Sequence, residues 1–214
     1  MGAFFVSGAA LKILAIDMSY TCTGWSIQTS ADKEGLIEYG SLENDKTILE
    51  YGPYPYCYYL AAQHAVARIL AKIEEVQPDV VVCEETNGGS KSRYSQKALE
   101  FLHCLLIKAI RDQDVYPLVY IDSSAWRKSV ALVLTKDQKK ANAKLSKAKK
   151  EAAAAGTKLD KKALGVGGKI GKKQLSVMAC RDKYGIPFLM KENDITDSIL
   201  LGNAYFNGAQ PCDG

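Results

Sequence analysis

The sequence predicts an α/β fold: a mixed five-stranded sheet, with three antiparallel strands followed by parallel strands, flanked by helices and carrying a lysine-rich insertion. Two observations predict it. Short alternating strands come early in the chain, and β-branched runs then alternate with segments of helical periodicity. With 214 residues, 47% of them hydrophobic, the chain can bury a sizeable core within one domain.

The first three strands are expected to form an antiparallel meander, because only tight connections separate them. The first reads as a buried strand, and the next two alternate apolar and polar residues. They are predicted at residues 12–18, 24–28 and 35–39.

The middle of the chain alternates helices with strands that are buried on both faces. Residues 51–59 are too rich in Gly and Pro to be regular, and a helix follows them. One strand is predicted at 79–84, a continuous β-branched run of the kind that is buried on both faces, and another at 115–121. On the helix between these strands, Phe101 and Leu105 widen the apolar stripe, which suits either a deeply buried helix or contact with a partner subunit.

The last third of the chain is predicted to be helical. Ser123 or Ser124 can cap a helix that runs to Leu134. Residues 141–155 favour a helix but are polar almost all round, and two more helices are predicted at 173–184 and 193–207. We expect an N-terminal extension at 1–10, a single domain at 11–207 with a basic insertion at about 135–172, and a C-terminal tail at 208–214.

Four carboxylates in three places suggest a shared metal site. Asp17 and Glu84 each end a buried strand, and Asp194 and Asp197 are spaced to share one helix face. Buried acids are costly unless a cation meets them, and carboxylate oxygens suit hard divalent ions. If the first strand is central and lies beside the strand that ends at Glu84, these acids converge, which is the requirement of a two-metal centre.

Each of these acids also has a simpler interpretation. Asp17 alone can be a turn residue, and Asp194 alone can be a helix N-cap. Glu84 and Glu85 are adjacent on a strand, so they point to opposite faces and only one can join Asp17. Glu84 is preferred because it directly follows the apolar run, with Glu85 in reserve.

The net charge of +4 is distributed unevenly. Residues 136–173 hold 13 lysines and three acids, a net +10, so the rest of the chain sums to −6. Such a run is often only a solvated face. Beside an acidic remainder, it also suits a protein that docks on phosphates.

The chain resembles RuvC-type Holliday-junction resolvases of the RNase H-like superfamily. The resemblance rests on the motif from Ala15 to Trp25, on Cys-Glu-Glu at 83–85, on Lys-Lys-Gln at 172–174 and on Asn-Asp-Ile-Thr-Asp-Ser at 193–198, in the right order across residues 11–206. It implies a homodimeric, magnesium-dependent endonuclease that places symmetric nicks in four-way DNA junctions. It also implies two Mg²⁺ ions per site, with Mn²⁺ as a substitute. The implied catalytic and metal-binding residues are Asp17, Glu84, Asp194 and Asp197.

Departures from the bacterial pattern point to a phage-type or organellar variant. Met18 and Ser19 stand where bacterial members have Pro-Gly, and the lysine-rich region is longer. The six cysteines form no C-x-x-C pair, which favours a reducing compartment over secretion. We therefore expect a cytoplasmic protein, in the host cytoplasm if a phage encodes it, with an organelle as the alternative.

Two basic groups are expected to flank the scissile strand through its phosphates. One follows Glu84 and the other precedes the penultimate helix, where the helix N-terminus adds a favourable dipole. Tyr94 suits stacking on an unpaired base, or packing at a helix start. The predicted nucleic-acid-binding residues are Lys91, Arg93, Tyr94, Lys97, Lys169, Lys172 and Lys173.

Other functions remain open at this stage. An RNase H-like nuclease for RNA–DNA hybrids or other branched nucleic acids would share the carboxylates without needing a dimer. A non-catalytic binder of branched DNA is disfavoured, because clustered anions facing phosphate gain it nothing. An ATP-using fold of the actin and sugar-kinase type would need two repeated domains, for which 214 residues leave little room.

Overall fold

The sheet has five strands, and its topology is the predicted one. The computed structural model describes residues 10–85, 93–113, 116–157 and 170–212. The strands are β1 (Ile13–Asp17), β2 (Cys22–Gln28), β3 (Leu36–Glu43), β4 (Val80–Glu84) and β5 (Leu118–Ile121). Their order is β3-β2-β1-β4-β5; the first three are antiparallel, and β4 and β5 join parallel to β1. The predicted fold class is confirmed.

Helices cover both faces of the sheet. They are α1 (Tyr56–Val76), α2 (Arg93–Gln113), α3 (Ser123–Ser129), α4 (Lys136–Ala154), α5 (Lys172–Tyr184) and α6 (Asn193–Phe206), with a 3-10 helix at Lys46–Glu50. Helices α1 and α2 pack on one face, and α3, α5 and α6 pack on the other. None of the described helices is both long enough and apolar enough to cross a bilayer.

Strand β1 is central because both of its faces are apolar. Leu14 and Ile16 enter the core beneath α1 and α2, whereas Ile13 and Ala15 enter the core beneath α3, α5 and α6. Side chains alternate between the faces of a strand, so a continuous apolar run is what a two-sided core requires. This burial fixes where the strand ends, and therefore where Asp17 lies.

Several predicted boundaries were wrong: β3 runs to Glu43 rather than residue 39, β5 begins at Leu118 rather than residue 115, and three further differences lie at helix ends. Helix α1 begins at Tyr56, inside the segment expected to be irregular, because its prolines precede the first turn, where no intrahelical N–H bond is lost. The cap of α3 is Asp122, whose carboxylate accepts from the N–H groups of Ser124 at 2.8 Å and Ala125 at 3.0 Å. Helix α3 ends at Ser129 rather than Leu134, since the chain turns back through Ala131 at a φ of 54°.

Candidate metal centre

Asp17 and Glu84 end neighbouring parallel strands. In the parallel register of β1 and β4, Ile16 pairs with Cys83. Asp17 is the residue after Ile16, and Glu84 is the residue after Cys83. Parallel strands share their carboxyl-terminal edge, so both carboxylates emerge at the same edge of the sheet. The convergence predicted from chain order is therefore what the structure contains.

Gly24 brings the closing helix to this edge. It pairs with Asp17 across β1 and β2, and a Cβ atom on Gly24 would lie only 2.0 Å from the carbonyl oxygen of Asp194. Only glycine permits this approach between the first turn of α6 and the sheet. Asp194 thus lies beside Asp17, and Asp197 follows one helical turn later.

Asp197 is a buried acid held by an arginine. Its side chain is 6% exposed, and its Oδ2 accepts from Nη2 of Arg127 at 3.1 Å. Arg127 also donates to the hydroxyl of Ser176, which anchors the guanidinium on α5. Burial raises the pKa of Asp197 and Arg127 opposes that rise. Within the described parts of the chain, Oδ1 of Asp197 is buried and has no hydrogen-bond donor.

Glu84 is held by the residue next to Arg127. The indole N–H of Trp126 donates to Oε2 of Glu84 at 2.8 Å, and the Arg127 guanidinium lies 4.0 Å from the Trp126 ring centroid. Burial raises the pKa of Glu84, with Arg127 again opposing it. Glu85 is exposed and accepts from the Cys212 thiol at 2.9 Å. Glu84, the preferred ligand, is the one that faces the other acids.

The four acids repel one another strongly at Asp17. Burial raises the pKa of Asp17 well above its usual range, and the neighbouring charges of Asp197, Glu84 and Asp194 raise it further. Lys173 opposes this, and its Nζ lies 3.4 Å from Oδ1 of Asp194. A site that gathers four carboxylates around one strand end is unfavourable without added positive charge.

The residues present fit divalent metal ions. Among the described residues, no three acidic, histidine or cysteine side chains already stand in a coordinating arrangement; Arg127 and Lys173 each pair with one acid instead. The donors are nonetheless hard oxygens, which Mg²⁺ prefers. Oδ1 of Asp197 is a buried acceptor without a donor among the described residues, and a bound cation would remove the free-energy cost of burying it.

The predicted DNA-binding residues are only partly described. Lys172 and Lys173 are exposed at the start of α5, and their charges act on Glu84 and Asp17, respectively. Lys97 is exposed on α2, with its Nζ 5.7 Å from the Tyr54 ring centroid. Lys91, Lys169 and the side chains of Arg93 and Tyr94 lie outside the described residues.

Sequence reasoning missed four residues that build the site: Gly24, Trp126, Arg127 and Ser176. Gly24 stands in the first motif, but its role is to accept a helix that lies 170 residues later in the chain. A signal for Trp126 and Arg127 was present, since an adjacent aromatic and cation closely follow the strand beside the one that ends at Glu84. Their targets are set by the packing of α3 and are not visible in the sequence.

Comparisons with known proteins support the architecture. No protein-family model and no curated protein matches this sequence. Among solved structures, Thermus thermophilus RuvC in complex with Holliday junction substrate matches with a TM-score of 0.57 at 10% identity, covering 94% of this chain and 99% of that one.

A second T. thermophilus RuvC structure gives a TM-score of 0.56 at 11% identity over the same shares of the two chains. The yeast mitochondrial Holliday junction resolvase Ydc2 gives 0.48 at 12% identity, covering 95% of this chain and 82% of that one. At such low identity, agreement over nearly the whole of both RuvC chains is agreement in architecture. The chain therefore has the RNase H-like fold of RuvC.

Proposed function

We propose that this protein is a structure-selective endonuclease that resolves four-way DNA junctions by symmetric nicking. The observation that carries the proposal is the convergence of Asp17, Glu84, Asp194 and Asp197 at one sheet edge of a RuvC-like fold. The RuvC structure it resembles was determined with a Holliday junction substrate. Fold alone does not assign activity, so the proposal depends on these residues.

The carboxylates would hold two Mg²⁺ ions, or Mn²⁺ in their place, and the bound ions would serve to activate a water molecule and to stabilise the leaving oxygen of the phosphodiester. The chain's own residues prepare this site. Trp126 fixes the carboxylate of Glu84, and Arg127 fixes one oxygen of Asp197 while leaving the other without a donor. Rigid carboxylates keep the reacting groups in position, which is the main way a protein accelerates phosphoryl transfer.

Lys172 and Lys173 would bind the phosphates of the cleaved strand. Both are exposed at the N-terminus of α5, next to the acids, where the helix dipole favours anions. Lys173 now pairs with Asp194, and the ion pair is largely exposed on the lysine side. Such a pair is weak, so phosphate can compete for the ammonium group at little cost.

A homodimer would place two such centres on one junction. Two symmetric nicks in a branched substrate are obtained simply from two active sites related by a two-fold axis. Phe101 and Leu105 on α2 remain partly exposed, and an apolar groove between α1 and α2 is lined by Tyr59, Leu70 and Leu105. This surface is the proposed place for contact with the second copy.

The decisive experiment compares three substrates: a four-way junction, a linear duplex and an RNA–DNA hybrid, each with Mg²⁺ or EDTA. We expect paired nicks in the junction alone, abolished by EDTA and by Asp17→Asn, with junction binding retained by that variant. Sedimentation of the free protein should show a dimer. Cleavage of the hybrid by a monomer, or binding without any Mg²⁺-dependent nicking, would refute the proposal.

A further inference from the structure

Helix α4 presents nearly all of its lysines on one side. The helix has seven lysines and two acids, a net charge of +5, and every lysine is exposed. With about 3.6 residues per turn, six of the seven fall on a single face. These six are Lys136, Lys139, Lys140, Lys144, Lys147 and Lys150. The sequence predicted a helix that is polar almost all round, and in the structure the side that carries these six lysines is exposed.

The opposite side of α4 is the less exposed side. Leu145 is 2% exposed, and the half-buried positions lie at helical spacing from it: Gln138, Ala141, Asn142, Ala148 and Ala152. A capping box between Thr135 and Gln138 stabilises the first turn. The basic face is therefore the side of α4 that points away from its buried residue, Leu145.

Asn142 connects α4 to the candidate metal centre. Its side chain makes two hydrogen bonds with the backbone of Ile170, donating to the carbonyl at 2.8 Å and accepting from the N–H at 2.9 Å. Ile170 lies two residues before Lys172, and the next lysine, Lys173, contacts Asp194. Two hydrogen bonds to one residue fix both its position and its orientation, so α4 has a defined place beside the entrance to α5.

We propose that this basic face binds the phosphate backbone of a duplex arm of the DNA substrate, next to the strand that enters the metal centre. The proposal rests on the proposed function and adds a second DNA surface outside the catalytic edge. Duplex DNA is the favoured partner because α4 is about 28 Å long and a duplex of that length, roughly eight base pairs, presents a dense row of phosphates. An acidic protein partner lacks such a continuous array.

The internal ion pairing of the face is weak enough to permit this. Lys147 lies 3.9 Å from Glu151, and both side chains are more than 60% exposed. Exposed ion pairs of this kind contribute little to stability, so Lys147 can exchange Glu151 for a phosphate with little loss of free energy. The remaining acid, Asp137, lies in the first turn, where its negative charge interacts favourably with the helix dipole.

The test measures how junction binding depends on salt. In the full-length protein, Lys140→Gln with Lys147→Gln should reduce the magnitude of the slope of log K against log salt by about 2, since each lost phosphate contact removes about 0.9. Affinity should fall about tenfold or more at 0.1 M salt. The matched control is Lys33→Gln with Arg111→Gln, which removes the same charge from exposed positions at the opposite end of the sheet from Asp17.

The control pair should leave the slope within about 0.5 of the wild-type value, and it should nick a saturated junction at the wild-type rate. Equal slopes for the two double variants would overturn the proposal about α4 while leaving junction nicking intact. Failure of the wild-type protein to nick would instead count against the proposed function, and the comparison of binding slopes would still decide whether α4 contacts DNA. Circular dichroism on both variants checks that α4 remains helical.

Discussion

Arg127 is the counter-charge of a buried acid, and Arg127→Gln removes that charge while keeping part of the side chain. The Arg127 and Asp197 side chains are 12% and 6% exposed, so little water can solvate Asp197 once it is alone. Breaking a buried ion pair from one side costs about 3–5 kcal/mol. We expect about 3 kcal/mol at pH 8, or a fall in Tm of roughly 6–12 °C.

The pH dependence identifies the cause. Burial already raises the pKa of Asp197, and loss of Arg127 raises it further above the unfolded value. An acid of this kind destabilises the fold as pH rises from its unfolded pKa through its folded pKa, and the penalty is absent below both. The loss of stability should therefore be under about 1.5 kcal/mol at pH 5.

The assay is urea denaturation in EDTA at both pH values, followed by tryptophan fluorescence. Lys128→Gln is the matched control, because it removes an exposed cation from the next position on α3; it should change stability by less than about 0.5 kcal/mol. Arg127→Lys should recover part of the loss. A loss below about 1 kcal/mol at pH 8, or an equal loss at pH 5 and pH 8, would refute the buried ion pair.

Two further variants test the carboxylate cluster and its support. Asp17→Asn should stabilise the protein in EDTA at pH 8 and raise Tm by about 2 °C or more, because burial and three neighbouring acids raise the pKa of Asp17. The gain should disappear near pH 4, where Asp17 is protonated in the folded protein. Thermal melts at several pH values measure it, and a gain that is constant with pH would contradict this explanation. Gly24→Ala should destabilise by about 1–3 kcal/mol and reduce junction nicking about a hundredfold, since its Cβ would meet the backbone of Asp194 at 2.0 Å. Gly156→Ala is the control: its φ of 64° makes alanine strained there, but nothing lies within 4 Å of the added atom, so it should leave nicking unchanged. Equal nicking rates for the two alanine variants would contradict the proposed close approach.

The sheet topology could be predicted because each element carries its own pattern. The apolar run at residues 13–16 and the run at 80–83 have no polar alternation, which requires strands covered on both faces. Central strands of this type must be neighbours or nearly so. Asp17 and Glu84, which end these two strands, then lie at the same edge of the sheet. Glu84 was preferred over Glu85 on position alone. In the structure Glu84 accepts a hydrogen bond from the indole of Trp126, and it lies close enough to Asp197 for the two charges to interact.

Helix boundaries were less predictable where capping competes with composition. Ser123 and Ser124 both resemble caps, but Asp122 has the conformation that lets its carboxylate reach two N–H groups. Composition predicts that Tyr56 lies in a Gly- and Pro-rich irregular segment, yet the helix begins there, with Cys57, Ala61 and Ala65 buried on its inner face. Local signals of this kind are worth about 1 kcal/mol and are overridden by tertiary packing.

The sequence by itself determined the order of the strands, the four acids and the lysine-rich insertion, because periodicity and charge are written in local residue order. Only the tertiary structure decided which groups oppose those acids. Because α3 packs against β4 and α6, Trp126 meets Glu84, which is 42 positions away, and Arg127 meets Asp197, which is 70 positions away. It also decided which side of α4 is exposed: the spacing of six lysines puts them on one face, and the burial of Leu145 on the opposite side leaves that face open to solvent.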